Sequence, residues 1–135
     1  MVNIDLLGVI EDGAPRSASV PPITSQPIQF PRNEDVTLRL TVKSAGGPLI
    51  DLTGYTITWT ARRNSRDGGF LLRRTGVLVP IEGRGRVNIG ITAANTKFLA
   101  AARYVYDVWA VKTSSQKQII PVSQWVLLPG MIGPS

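Results

Sequence analysis

Alternation of apolar and polar residues with a period of two is the feature that most constrains the fold of this chain. Residues 36–42 and 55–61 show it most clearly, with Val, Leu, Ile, Tyr, Trp and Ala on one side and mainly Thr on the other. Such alternation is typical of strands with one buried face. Shorter stretches of the same kind, joined by turns rich in Gly, Asn and Ser, follow at residues 70–74, 77–81, 87–91, 104–111 and 119–128. About seven such strands predict an all-β protein, an antiparallel sandwich or barrel.

Residues 91–111, ITAANTKFLAAARYVYDVWAV, combine an alanine-rich half with an alternating half. Thr92 is a residue type that caps helices, and Asn95 occupies the position where a capping box carries Glu or Gln. The segment before the next strand is about nine residues long, too short to form a stable helix alone. We therefore predict a corner of one or two helical turns between two strands, with Phe98 and Leu99 filling the end of the core.

The first 33 residues differ from the rest because five prolines stand at positions 15, 21, 22, 27 and 31. Proline fixes φ and removes a backbone donor, so this composition predicts an extended arm. The predicted boundaries are an arm over 1–33, a sandwich over 34–129 and a short tail over 130–135. Two interpretations of the arm stay open, packing on its own domain or on a neighbouring subunit. The arm residues predicted to contact a partner are Ile4, Leu6, Leu7, Val9, Ile10, Pro21, Pro22 and Ile23.

Composition excludes several kinds of active site. The chain has 135 residues, with no cysteine and no histidine, which removes disulfides, Ser-His and Cys-His pairs and the usual zinc sites. The nine carboxylates show no spacing that forces two of them together. Asp107 is predicted to be solvated or paired with an arginine. We therefore assign no catalytic, cofactor-binding or metal-ligating residue. No apolar run approaches the roughly 18 residues of a membrane span, and the acidic N-terminus is unlike a signal peptide.

A basic stretch lies in the middle of a chain whose net charge is +6. Residues 62–86 contain seven arginines, and the acidic residues in the same stretch are Asp67 and Glu82. Basic patches attract phosphate backbones or acidic protein surfaces, and a solvated hairpin face is the third interpretation. The basic residues predicted to contact a partner are Arg62, Arg63, Arg66, Arg73 and Arg74.

The corner followed by RYVYDVWAV resembles the E–F corner of immunoglobulin-like sandwiches. The resemblance implies that the Tyr104 hydroxyl bonds to backbone upstream of it. It also implies that Trp59 is the buried tryptophan, and Tyr106 stands where antibody domains have their second cysteine.

Residues 33–128 are more broadly similar to small Ig-like modules of tailed-bacteriophage virions, such as the N-terminal domain of siphophage baseplate upper proteins. Residues 51–54 match their D-L-T-G turn, and Leu99, Tyr104, Tyr106 and Val108 match their Leu-x-x-G-x-Y-x-Y-x-V run. Ala102 replaces the usual glycine, at a cost of up to roughly 1 kcal/mol if that position needs a positive φ.

The resemblance implies a non-enzymatic structural protein of a tailed-phage virion that is assembled in the host cytoplasm. A capsid decoration or cement protein is the favoured expectation, because a lone sandwich with an arm suits a surface clamp. A baseplate or tail component is the alternative, and a small nucleic-acid-binding β-domain using Arg62–Arg86 is the alternative from another class. The implied partners are the major capsid protein or baseplate and tail proteins, and a homo-oligomer such as a trimer is expected, with no membrane partner.

Overall fold

A computed structural model describes residues 2–10, 25–44, 52, 54–64, 66, 69–79, 85–113 and 115–129. These residues form nine strands and one short helix. The strands are β1 (Val2–Ile10), β2 (Ile28–Pro31), β3 (Val36–Ser44), β4 (Thr56–Arg62), β5 (Leu72–Thr75), β6 (Val77–Leu78), β7 (Arg86–Ile91), β8 (Ala102–Lys112) and β9 (Ser115–Leu128). The helix α1 spans Ala93–Thr96, between β7 and β8.

The strands form two packed sheets. One sheet has four strands in the order β1-β3-β7-β6, and the other has five in the order β2-β9-β8-β4-β5. The predicted all-β sandwich is confirmed. The expectation of a purely antiparallel sandwich is wrong at two pairs, because β1 runs parallel to β3 and β2 runs parallel to β9. Alternation predicts which face of a strand is buried but not the direction of its neighbour, and both exceptions join partners that are distant in sequence.

The two N-terminal strands belong to the sandwich itself. The side chains of Leu6, Val9 and Ile10 in β1 are buried, as are those of Ile28 and Phe30 in β2. Of the two interpretations of the arm, packing on its own domain is the one that these two strands follow, and they complete one edge of each sheet. Proline is tolerated at sheet edges, which explains why a proline-rich segment can still contribute β2.

The other arm residues that were predicted to contact a partner are partly packed on the sandwich and partly not described. Ile4 packs partly buried against the core, and Leu7 is half-buried. Pro21, Pro22 and Ile23 lie outside the described residues. Of the predicted tail, residues 130–135, none is described.

The core follows the period-two pattern of the sequence. In β3, Val36, Leu38, Leu40 and Val42 are buried, and in β7 every second residue from Val87 is buried. The opposite sheet contributes a cluster of aromatic rings: Phe30, Trp59, Tyr104, Tyr106 and Trp125. Their neighbouring centroids are 5.1–5.8 Å apart, within the usual range for aromatic pairs. The implied burial of Trp59 is present, since its side chain is fully enclosed.

Gln26 connects the two sheets at the edge where β1 and β2 lie. Its side-chain oxygen accepts a hydrogen bond from Leu7 N at 2.8 Å, and its amide nitrogen donates to Leu7 O. Its backbone N donates to Ser123 Oγ at 2.9 Å, and its backbone O accepts a hydrogen bond from the Tyr106 hydroxyl. The glutamine amide thus replaces a neighbouring strand at Leu7 and blocks that part of the β1 edge.

Candidate interaction surfaces

The segment between β7 and β8 forms the corner that the sequence predicts. Thr92 is the N-cap residue of α1 and has extended backbone angles. Its N–H donates to Asn95 Oδ1 at 2.8 Å, and its carbonyl accepts from Asn95 N at 2.9 Å. Asn95 therefore satisfies the N-cap backbone donor as the Glu or Gln of a capping box does. Four residues of helix are enough to reverse the chain between the two sheets.

Hydrogen bonds hold the corner against the body of the sandwich. The Tyr104 hydroxyl donates to Ala100 O at 2.7 Å, so the bond to upstream backbone that the resemblance implies is present. The buried Thr96 hydroxyl accepts from Asn33 N at 2.8 Å. The Arg32 guanidinium donates to Lys97 O at 2.6 Å. The backbone on both sides of residue 98 is therefore fixed by groups outside the corner.

Phe98 does not fill the core. Its side chain is 87% exposed, the highest exposure of any large hydrophobic side chain in the described part of the chain. The expectation that Phe98 and Leu99 together plug the core is therefore wrong for Phe98. Leu99 is half-buried and packs against the core, and its N–H donates to Thr96 O at 3.0 Å. That tight turn directs the two neighbouring side chains to opposite sides of the corner.

Ala102 is accommodated without backbone strain. It is the first residue of β8, and Asn33 is the one non-glycine residue with a positive φ in the described ranges. The expected cost of alanine at this position is therefore absent. Gly54 in the matched D-L-T-G turn does need glycine, because its φ is 87°. Asp51 and Thr53 of that turn lie outside the described residues.

A groove lies beside Phe98 at this end of the sandwich. Its volume is about 350 Å³. We call the side chains that project around it the corner surface, which consists of Arg63, Leu71, Phe98, Leu99 and Arg103. Arg63 and Arg103 are exposed, whereas Leu71 and Leu99 are half-buried. The corner surface therefore has an apolar centre and a basic rim.

The five predicted basic contact residues do not share one surface, because residues alternate between the two faces of a strand. In β5, Arg73 is exposed on the outer face, with its guanidinium carbon 4.1 Å from the centre of the Phe70 ring. Arg74 lies opposite Trp59 in the pairing of β5 with β4, and its Nε donates to Gly90 O of the opposite sheet at 2.8 Å. Arg63 lies at the corner and Arg66 is exposed in the turn after β4.

Arg62 belongs to a polar network on the outer face of the five-stranded sheet. Asp107 is 4% exposed, and its Oδ1 accepts from Arg62 Nη1 at 3.3 Å. Its Oδ2 accepts from Trp109 Nε1 at 3.1 Å and from Gln118 Nε2 at 3.4 Å. Asp107 is thus the arginine-paired acid of the prediction.

A shallow groove of about 340 Å³ lies over this network, between Arg62, Arg73 and Trp109. The half-buried indole of Trp109 lies on this outer face.

The residues that the structure describes contain no cluster of three acidic side chains able to hold a metal ion. Among the same residues no helix has the length and apolarity that crossing a bilayer requires. In the described ranges, Tyr106 alone has a strongly displaced pKa, which burial raises and the hydrogen bond with Ser123 partly lowers. A buried tyrosine held protonated in this way is a core group.

The comparisons with known proteins bear on the fold. No protein-family model matches the chain, and no curated protein does. Among solved structures, the chain is similar to the N-terminal domain of ORF48 of phage TP901-1, with a TM-score of 0.51 and 8% sequence identity. The match covers 95% of this chain and 99% of that domain. At this identity the match shows a shared fold.

Proposed function

We propose that this chain is a non-enzymatic structural protein of a tailed-phage virion and that it belongs to the tail or baseplate. The observation that carries the proposal is the match along nearly the full length of both chains with the N-terminal domain of a phage protein. The sequence resemblance to baseplate upper proteins, through Leu99, Tyr104, Tyr106 and Val108, supports the same class. Its partners are then other tail or baseplate proteins of that virion.

The structure weakens the argument for a capsid decoration protein. That expectation combined a lone sandwich with an arm able to clamp a neighbouring subunit. β1 and β2 instead pair with β3 and β9 of the same chain, and their apolar side chains are buried in its own core. These two strands are therefore not free to reach a neighbouring subunit. For this reason the tail or baseplate alternative replaces capsid decoration as the proposed function.

Nucleic-acid binding by the basic stretch is also less well supported than the sequence suggested. Arg62 is paired with Asp107, Arg73 stacks on Phe70 and Arg74 bonds to Gly90 O. Three of the five arginines are thus engaged within the chain, and Arg74 points away from the outer face that carries Arg62 and Arg73. A backbone-binding site needs several free cations along one track.

Fractionation of virions tests the proposal. Tailed particles of the phage that encodes the chain are purified and separated into heads and tails, and the protein is quantified in each by mass spectrometry. We expect it in the tail fraction. Recovery in the heads alone would support capsid decoration instead, and absence from purified particles would refute a virion role.

A further inference from the structure

Phe98 is exposed on a part of the chain that is otherwise firmly held. Given the proposed function, on which this inference depends, we propose that the corner surface is a docking site for a neighbouring virion protein. The partner presents an apolar pocket rimmed by carboxylates. Phe98 enters that pocket, and the groove beside Phe98 receives an apolar side chain of the partner.

The rigidity of the corner supports this role. The Tyr104 hydroxyl and the Arg32 guanidinium donate hydrogen bonds to the backbone oxygens of Ala100 and Lys97, and the Thr96 side chain is held by Asn33 N. An aromatic side chain on a fixed backbone loses little conformational entropy when it is buried by a partner. Phe98 therefore has the property of an interface anchor, a large apolar side chain presented in advance.

The shape of the corner surface adds a second argument. A lone exposed hydrophobic residue is ordinary on a protein surface. Phe98 is not alone, because the groove of about 350 Å³ beside it is floored by Leu71 and Leu99. A projecting ring next to an apolar groove gives two complementary features to one partner.

The charge around Phe98 identifies the kind of partner. Of the residues that the structure describes, Arg63 and Arg103 line the groove and no acidic residue does. The Lys97 ammonium lies 5.5 Å from the centre of the Phe98 ring. The Asp35 carboxylate, which contacts the helix α1, accepts a hydrogen bond from Ala93 N at 2.8 Å. Two copies of this basic surface would repel each other, so a second copy of the chain is the wrong partner. Carboxylates on a different protein fit the basic rim.

Incorporation into particles is the test. Phages that encode Phe98→Ser or Arg103→Glu are compared with wild type, and the copies of the protein per purified particle are counted by mass spectrometry. We expect Phe98→Ser to lower incorporation at least about tenfold, as loss of an interface anchor does. Arg103→Glu lowers it as well, and Arg103→Lys restores it. The matched control is Val77→Ser, which removes a 69% exposed side chain from the four-stranded sheet. We expect this change to leave incorporation unchanged.

Site-specific photocrosslinking identifies the partner. A photoreactive phenylalanine at position 98 should crosslink in assembled particles to another protein, at a peptide that contains Asp or Glu. The same group at position 77 should give no such product. A crosslink to a second copy of this chain, or purified protein that dimerises only when Phe98 is present, would overturn the proposal.

The two proposals fail in different ways. Absence of the wild-type protein from particles refutes the virion role itself. Wild-type protein present in particles, with Phe98→Ser incorporated equally well, refutes the corner surface alone. Because Phe98 is exposed, the purified Phe98→Ser protein should keep the thermal midpoint of wild type, so poor incorporation is not a folding defect.

Discussion

The Tyr104 hydroxyl joins the start of β8 to the corner that precedes it. The ring packs 5.1 Å from Trp125, centroid to centroid, while the hydroxyl donates to Ala100 O. Tyr104→Phe keeps the ring and removes only the hydrogen bond. We expect a loss of about 1 kcal/mol in the free energy of unfolding, measured by urea denaturation. An unchanged midpoint would mean that the bond does not hold the corner.

Tyr106 makes the stability of the protein sensitive to alkaline pH. Burial raises its pKa above the ordinary value of 10.0, so the folded state keeps the proton at a pH where the unfolded state loses it. Stability from this group is fully present below pH 10.0 and is lost as the pH rises above it. The slope is up to about 1.4 kcal/mol per pH unit.

Tyr106→Phe isolates this effect. The variant is less stable at neutral pH because it loses the bond to Gln26 O. Above about pH 10 its free energy of unfolding should fall less steeply than that of wild type, in denaturation series at several pH values. Parallel curves for the two proteins across the alkaline range would contradict the raised pKa.

At the residue scale the sequence predicts side chains only where its pattern is regular. Trp59 and Tyr104 lie in alternating stretches, and their burial follows from that alternation. Phe98 lies in residues 97–101, where no period of two or of 3.6 is present. Its side chain points outward because the Thr96–Leu99 turn directs Leu99 inward, which hydrophobicity alone does not reveal.

At the scale of elements, β1 packs closely against the opposite sheet. A Cβ on Gly8 would lie 3.2 Å from Ile119 Cδ1 and 3.4 Å from Ile119 Cβ. Gly8→Val would overpack this contact, and we expect a loss of about 1–3 kcal/mol in the free energy of unfolding. An unchanged free energy of unfolding would contradict the close packing of β1 on the opposite sheet.

Gly90 provides the matched control in β7. A Cβ there meets nothing within 4 Å, and the residue is exposed in an extended strand. Gly90→Val should leave stability unchanged or raise it by up to about 1 kcal/mol, because valine favours strands. Equal destabilisation by Gly8→Val and Gly90→Val in chemical denaturation would show that β1 does not pack as described.

The basic stretch shows what element structure adds to sequence. Arg73 and Arg74 are adjacent in the sequence, and as a pair they suggested one patch. In a strand they project to opposite faces, so Arg74 reaches Gly90 O of the other sheet while Arg73 stays outside. Neighbouring charged residues in a predicted strand therefore lie on opposite faces of the sheet, and each face has to be considered separately when a charged surface is predicted.

At the scale of the whole molecule, the N-terminal strands supply part of the buried core. Burying a side chain such as Leu6, Ile10 or Phe30 contributes about 1.5–3 kcal/mol each. Several such side chains amount to a large part of the roughly 5–15 kcal/mol that stabilises a domain. Without β1 and β2 both sheets would lose an edge strand and much of this burial.

The sequence predicted the sandwich because alternation identifies strands with one buried face. The place of β1 could not be predicted in the same way. Its apolar residues Ile4, Leu6, Leu7, Val9 and Ile10 include two adjacent pairs, so no single buried face is evident. The partner of β1 is β3. β3 begins 26 residues after the end of β1, beyond a proline-rich segment. Local pattern carries no information on such pairing.

Hydrogen exchange of the purified protein tests most directly whether β1 is a strand of the sandwich or part of a free arm. Amides of β1 that bond to β3 exchange only when the sheet opens, so we expect a peptide spanning residues 2–10 to be protected, with rates within about tenfold of those of β3. Exchange of the whole peptide at the rate of an unfolded chain would contradict the integration of β1 and restore the free arm.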